Sequence, residues 1–167
     1  MGFIIRKALF EDAYERAECH VSSWRSAYRG IVPDEVLDNL SAEEIAEKFK
    51  KELELKAYSY YCAAYDGKII GHFNIGKCQD EDKLNAGEVR GIYLTEEFWD
   101  KGYGKRMMNA AITSLKHMGY NEVVLWALEE NNRARHFYER YGFVFNGTKK
   151  EIMIGKPLIE IRYTINV

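Results

Sequence analysis

Cysteine is scarce in this chain, with three residues, an odd number that no disulfide framework would use. Cys19, Cys62 and Cys78 form no Cys-x-x-Cys pair, which argues against a cysteine zinc site and for a reducing, cytoplasmic compartment. Long apolar runs are missing too. Nothing approaches the ~20 residues needed to cross a bilayer, and the first residues have no signal-peptide pattern, so no membrane partner is expected. Nor is there an excess of one charge: 24 Lys and Arg stand against 26 Asp and Glu, a formal net charge of −2, which removes the electrostatic footprint of a nucleic-acid-binding protein. No pair of histidines has metal-ligand spacing with a carboxylate, so no metal is expected. The 167 residues contain no internal repeat, low-complexity tract or linker, and one domain spanning 1–167 is expected.

What is present is apolar and patterned. Hydrophobic residues make up 47% and aromatics 14%, enough for a folded globule with a proper core. Residues 3–9 read as a strand. Ala17, Val21, Trp24 and Tyr28 then fall on one face of a helix that starts near Asp12 and ends at Gly30. Pro33 suits the first turn of a short second helix, and Ser41 with Glu44 forms a capping box for a third. Residues 58–65 and 68–75 are strand-like runs joined at Asp66-Gly67, a strong hairpin signal. A polar loop, 78–86, leads to a strand over 88–94. Later come a helix closed by Gly119, a strand over 122–128, a helix over 131–141 closed by Gly142, and strands over 143–149 and 158–165. The order predicts an α/β fold, a mixed central sheet with helices on both faces.

The run Trp99-Asp100-Lys101-Gly102-Tyr103-Gly104-Lys105-Arg106 sits where the 88–94 strand hands over to a helix carrying Met107, Met108, Ala111, Ile112 and Leu115. A glycine-rich loop that opens a helix gathers unpaired backbone N–H groups at the positive end of the helix dipole, a site suited to phosphate. A dinucleotide fingerprint would need a third glycine at Met107, and a Walker loop would need glycine at Trp99 and Ser or Thr at Arg106. Both fail. A pyrophosphate remains as a fitting ligand, beside the plainer reading of a tight turn using glycine for positive φ.

Downstream, Asn131, Ala134, Phe137, Tyr138, Gly142 and Phe143 carry the pattern N-x-x-A-x-x-F-Y followed by G-F. Together with Gly102 and Gly104, this pattern resembles the GCN5-related N-acetyltransferase family, with the close matches spanning residues 87–143. Trp99 stands where that family's loop usually opens with Gln or Arg. The resemblance implies a mostly antiparallel central sheet and acetyl-CoA as co-substrate. The pyrophosphate would lie on Asp100, Lys101, Gly102, Tyr103, Gly104 and Lys105. The pantetheine arm would pair with the strand edge at Ile92, Tyr93 and Leu94, helped by Asn131, which also fits a plain N-cap. It further implies that Tyr138 meets the departing thiolate, and that Glu88 or ordered water removes the proton of a small-molecule or protein amine. Tyr138 also fits a core aromatic, and Glu88 a strand carboxylate paired with Arg90. Trp24, Tyr28, His72 and Trp126 are candidates to line the acceptor side, with core packing as the alternative for Trp24. Arg133, Arg135 and Arg140 fit either a 3′-phosphate contact or a solvated helix face. The resemblance leaves room for a homodimer through Ile161, Tyr163 and Ile165, residues that alternation along a last strand explains equally well.

Overall fold

The computed structural model describes residues 2–167. Strand β1 (Phe3–Lys7) leads to α1 (Ala13–Tyr28), α2 (Asp34–Asp38) and α3 (Ala42–Leu55). Then follow β2 (Ser59–Tyr65), β3 (Lys68–Lys77), β4 (Gly87–Leu94), α4 (Tyr103–His117), β5 (Glu122–Leu128), α5 (Asn132–Tyr141), β6 (Val144–Met153) and β7 (Pro157–Asn166). The seven strands form one sheet in the order β1-β2-β3-β4-β5-β7-β6. Only β4 and β5 run parallel, so the sheet is mixed and mostly antiparallel, with helices on both faces, as expected.

Local chemistry explains the element ends. The Ser41 hydroxyl accepts the Glu44 N–H and caps α3. Asp66 and Gly67 both adopt positive φ and turn β2 into β3. Asn131 accepts the Ala134 N–H and caps α5. The first strand stops at Lys7 and not at residue 9, because the Asp12 carboxylate draws the chain into a turn. It accepts both Arg6 guanidinium nitrogens, at 2.6 and 2.8 Å, and the Leu9 N–H at 2.7 Å.

Helix α4 buries Met107, Met108, Ala111 and Leu115 against β3 and β4, on the face shared with α5. Burying each of the larger three is worth about 1.5–3 kcal/mol. On the opposite face, α1 and α3 pack Ala13, Ala17, Ala46 and Phe49 around Tyr60. Ile161 and Tyr163 lie in the main core and Ile165 packs against it, so the first two are consumed within this chain and offer no dimer surface. All three cysteines are free and buried, and burial pushes the Cys62 and Cys78 thiols up to about 11.

The parallel seam is the feature that matters for function. β4 and β5 share two residue pairs, Gly87 with Val123 and Glu88 with Val124. Beyond them Arg90 is an extra residue on β4: Ile75 pairs with Val89 and Asn74 with Gly91, leaving Arg90 without a partner across the ladder. A bulge of this kind bends a strand and increases its twist. From Val89 onward β4 therefore leaves β5, and a groove opens between them.

Candidate active site

The groove has a volume of about 1350 Å³. It is lined by β4 from Glu88 to Leu94, β5 from Leu125 to Leu128, and the first turn of α4. Ser23, Ala27 and Tyr28 of α1 wall one end, and Asn131, Phe137 and Tyr138 another side. Of the residues expected at the site, Glu88, Ile92, Tyr93, Leu94, Asp100, Gly102, Gly104, Lys105, Asn131, Tyr138, Tyr28 and Trp126 all border it.

At the glycine loop, Gly102 takes φ of +83° and sets the entry into α4. The Arg106 N–H returns to the Gly102 carbonyl, so the N–H groups just ahead of it are first-turn donors without an intrahelical partner. A Cβ placed on Gly104 would meet only the Phe137 ring, at 3.6 Å. Glycine is thus not required there by the protein's own packing, and the space above the turn is open to a ligand. This cradle, with Lys105 beside it, fits a pyrophosphate. Gly104→Ala is therefore expected to act in opposite directions. It raises the melting temperature, since a helical Gly→Ala change gains about 0.5–1 kcal/mol. It also weakens coenzyme A binding, measured by calorimetry, by roughly tenfold or more through the loss of close backbone contact.

Two loop side chains turn elsewhere. Tyr103 packs against Phe3, Tyr65 and Phe98, and the Lys101 ammonium lies over the Phe98 ring, so these two can serve the site only through their backbone. Trp99 has a definite job. Its indole N–H donates to the Leu94 carbonyl at 2.8 Å, and the Arg133 guanidinium lies 4.3 Å from the centre of its ring. Arg133 also pairs with Asp100 at 2.7 Å, so the loop after β4 is tied to α5 across the mouth of the groove. Arg135 is committed to the Glu129 carbonyl and the Tyr163 hydroxyl.

Tyr138 lies deep in the groove wall, in contact with Phe137, Phe143 and Tyr163. Burial pushes its phenol well above the usual tyrosine range, so it stays protonated as a donor. The Tyr163 hydroxyl, by contrast, is engaged by Glu139 and Arg135. Asn131 spends its carbonyl oxygen on the cap and keeps its NH₂ for another acceptor.

Glu88 sits at the apex, where the strands part, and is 9% exposed. Burial raises its carboxyl, Asp80 adds to the rise, and Arg90 and Lys150 oppose it. Arg90 makes no ion pair with Glu88; it donates to the Tyr58 hydroxyl and lies over that ring. Trp126 faces the groove with its N–H held by Asp80 at 3.0 Å.

His72 and Trp24 stand behind the wall. His72 Nε2 lies 3.3 Å from His20 Nδ1, both rings pack on Tyr93, and Trp24 packs between His20 and Tyr28, edge-on to the tyrosine. Burial drives both imidazoles down, His20 to about 4, so the pair is neutral. These two candidates are packing under the strand edge, not groove lining. Ser23, Lys150 and Glu160 do border the groove and were not anticipated.

A family model described as Acetyltransferase (GNAT) family matches residues 9–143. The chain belongs to this family. An uncharacterized N-acetyltransferase of Bacillus subtilis, YuaI, is 29% identical over 162 residues, covering 92% of each chain. A spermidine N(1)-acetyltransferase of Thermoplasma acidophilum is 28% identical over 152 residues, 89% of this chain and 92% of the relative. The crystal structure of the PaiA N-acetyltransferase from Thermoplasma acidophilum with coenzyme A superposes with a TM-score of 0.78 at 23% identity over the full length of both chains. YncA of Salmonella typhimurium, solved with acetyl-CoA, gives a TM-score of 0.74 at 14% identity over 99% and 94% of the two chains. The GNAT fold of this chain thus has relatives crystallised with coenzyme A and acetyl-CoA. Among its described residues no group of three or more His, Cys, Asp or Glu gathers as a metal site.

Proposed function

We propose that residues 1–167 act as one acetyl-CoA-dependent N-acetyltransferase domain, passing the acetyl group to a primary amine by direct attack while both substrates are bound. The observation that carries this reading is the continuity of the groove. A single opening runs from the α4 first-turn donors, along the unpaired edge of β4, past Tyr138, to Glu88 and Trp126. Pyrophosphate, amide-rich arm, thioester and amine would meet these groups in that order.

The protein's own contributions follow from their chemistry. First-turn N–H groups of α4 and Lys105 bind phosphate oxygens. Backbone groups of Ile92–Leu94 hydrogen-bond the arm as a further strand would, and an N–H there stabilises the negative charge that grows on the thioester oxygen. Glu88 takes the proton of the ammonium, directly or through water, because an alkylammonium with pKa near ~10 must lose it before attack. Tyr138 donates to the departing thiolate. Polyamines head the acceptors to try, given the spermidine acetyltransferase among the relatives.

A thiol-release assay with acetyl-CoA against mono-, di- and polyamines tests the reading, with thiol release expected to depend on amine. Binding of acetyl-CoA with no amine-stimulated release would point instead to a sensing domain. Faster turnover with a longer acyl-CoA would reassign the donor.

A further inference from the structure

The acceptor half of the groove already holds an ammonium, and it is the protein's own. Lys150 Nζ lies 3.8 Å from the centre of the Trp126 ring, within cation–π range, and 3.5 Å from the Glu160 carboxylate. The strand register explains the meeting. Lys150 pairs directly with Glu160 across β6 and β7, Glu160 pairs with Leu128 across β7 and β5, and Trp126 lies two residues before Leu128. Residues at this spacing share one face of the sheet. Trp126, Lys150 and Glu160 line the same groove as Glu88.

The parts differ in rigidity. Trp126 is fixed by its bond to Asp80, and Asp80 and Asp82 in turn hold the buried Arg162 at 2.5–3.0 Å. The Arg162 charge is thereby neutralised by its own partners. The Lys150 side chain is 43% exposed, and its ion pair with Glu160 is of the loose surface kind that contributes little. When Lys150 swings out, an aromatic face and a carboxylate stand open to another cation.

We infer that Trp126 and Glu160 form a cation subsite for the acceptor, and that Lys150 is its displaceable internal occupant and sets specificity. The inference rests on the acetyl-transfer reading and narrows the acceptor to a molecule with two cationic nitrogens. One goes to Glu88 for acetylation, and the other takes the place of the Lys150 ammonium on Trp126. A monoamine leaves Lys150 where it is.

The test compares kcat/KM for 1,4-diaminobutane with that for n-butylamine. Lys150→Gln removes the competing charge and is expected to raise the diamine-to-monoamine ratio by about tenfold. Lys150→Arg keeps a cation on the ring and should hold the parental ratio. Adding Trp126→Leu to Lys150→Gln should cancel the gain. An unchanged ratio in Lys150→Gln, or a gain that survives loss of the indole, overturns the subsite. Calorimetry of 1,4-diaminobutane against the coenzyme A-loaded protein reads the same site without turnover. Tighter binding by Lys150→Gln there, with no thiol release from any amine, would retain the subsite and reject acetyl transfer. Equal binding by parent and variant would reject the subsite. Lys150 is exposed, so the substitution removes no core packing.

Discussion

Tyr138→Phe is expected to lower kcat about a hundredfold while leaving coenzyme A affinity within about threefold. The phenol is buried, and burial holds it protonated far above neutral pH. It can therefore donate to a thiolate at any working pH, and it adds no limb to the pH profile below about pH 10. The thiolate exists only as the carbon–sulfur bond breaks, so in the proposed role the hydroxyl acts late and its loss is expected to fall on turnover rather than on binding. Packing is expected to survive. The ring keeps its contacts with Phe137, Phe143 and Tyr163, and the hydroxyl borders the groove without a hydrogen-bond partner among the described residues, so its removal costs the fold little. Steady-state kinetics with calorimetry in parallel would decide the matter, and parental turnover in the variant would remove Tyr138 from the chemistry.

Glu88→Gln is expected to lower kcat/KM by roughly 10²–10³ near neutral pH and to change the shape of the pH profile. Burial raises the carboxyl, so Glu88 holds its proton to a higher pH than an ordinary glutamate. Below that raised value the parent loses rate tenfold per pH unit, because the base is protonated. Above it the parent is expected to level off, since on the proposed role the ionised carboxylate collects the proton from a bound ammonium. The Gln variant has no such collector. It depends on amine that has already lost its proton, and its rate keeps climbing toward the amine's pKa near ~10. Superimposable profiles for parent and variant would assign the proton to water alone.

Much of the fold was legible in the sequence because glycine and asparagine mark element ends by backbone chemistry. Asp66-Gly67, Gly119 and Gly142 all take positive φ where turns or helix ends were read. The glycine-loop end of the groove was legible for a related reason, since helix starts and strand edges act through backbone atoms whose direction follows from secondary structure. The Glu88–Trp126 end of the groove depends on side chains that converge from distant strands, which periodicity along one strand does not report. The expected sixth strand ended at residue 149, but β6 runs on to Met153 after a register shift between Phe145 and Lys149. That irregularity at Asn146-Gly147 breaks the alternation and concealed Lys150 as the neighbour of Glu160. His72 and Trp24 have the right residue types for an amine wall. Which side of β3 and α1 they occupy relative to Tyr93 is a matter of packing, and periodicity alone does not report it.

The short parallel seam has one more consequence. A strand with unpaired N–H and C=O groups invites other chains to add to it, and exposed sheet edges are a common start of aggregation. From Val89 onward, β4 and β5 each have such an edge facing the other, too far apart to pair. Both lie inside the sheet, flanked by β3 and β7, with α5 and the Trp99–Arg133 contact across the opening. The protein thus keeps the adhesive chemistry of a bare strand where a slender ligand can use it and a foreign polypeptide cannot lie down. Protection of the bare edges and room for a ligand both follow from ending the ladder after two rungs.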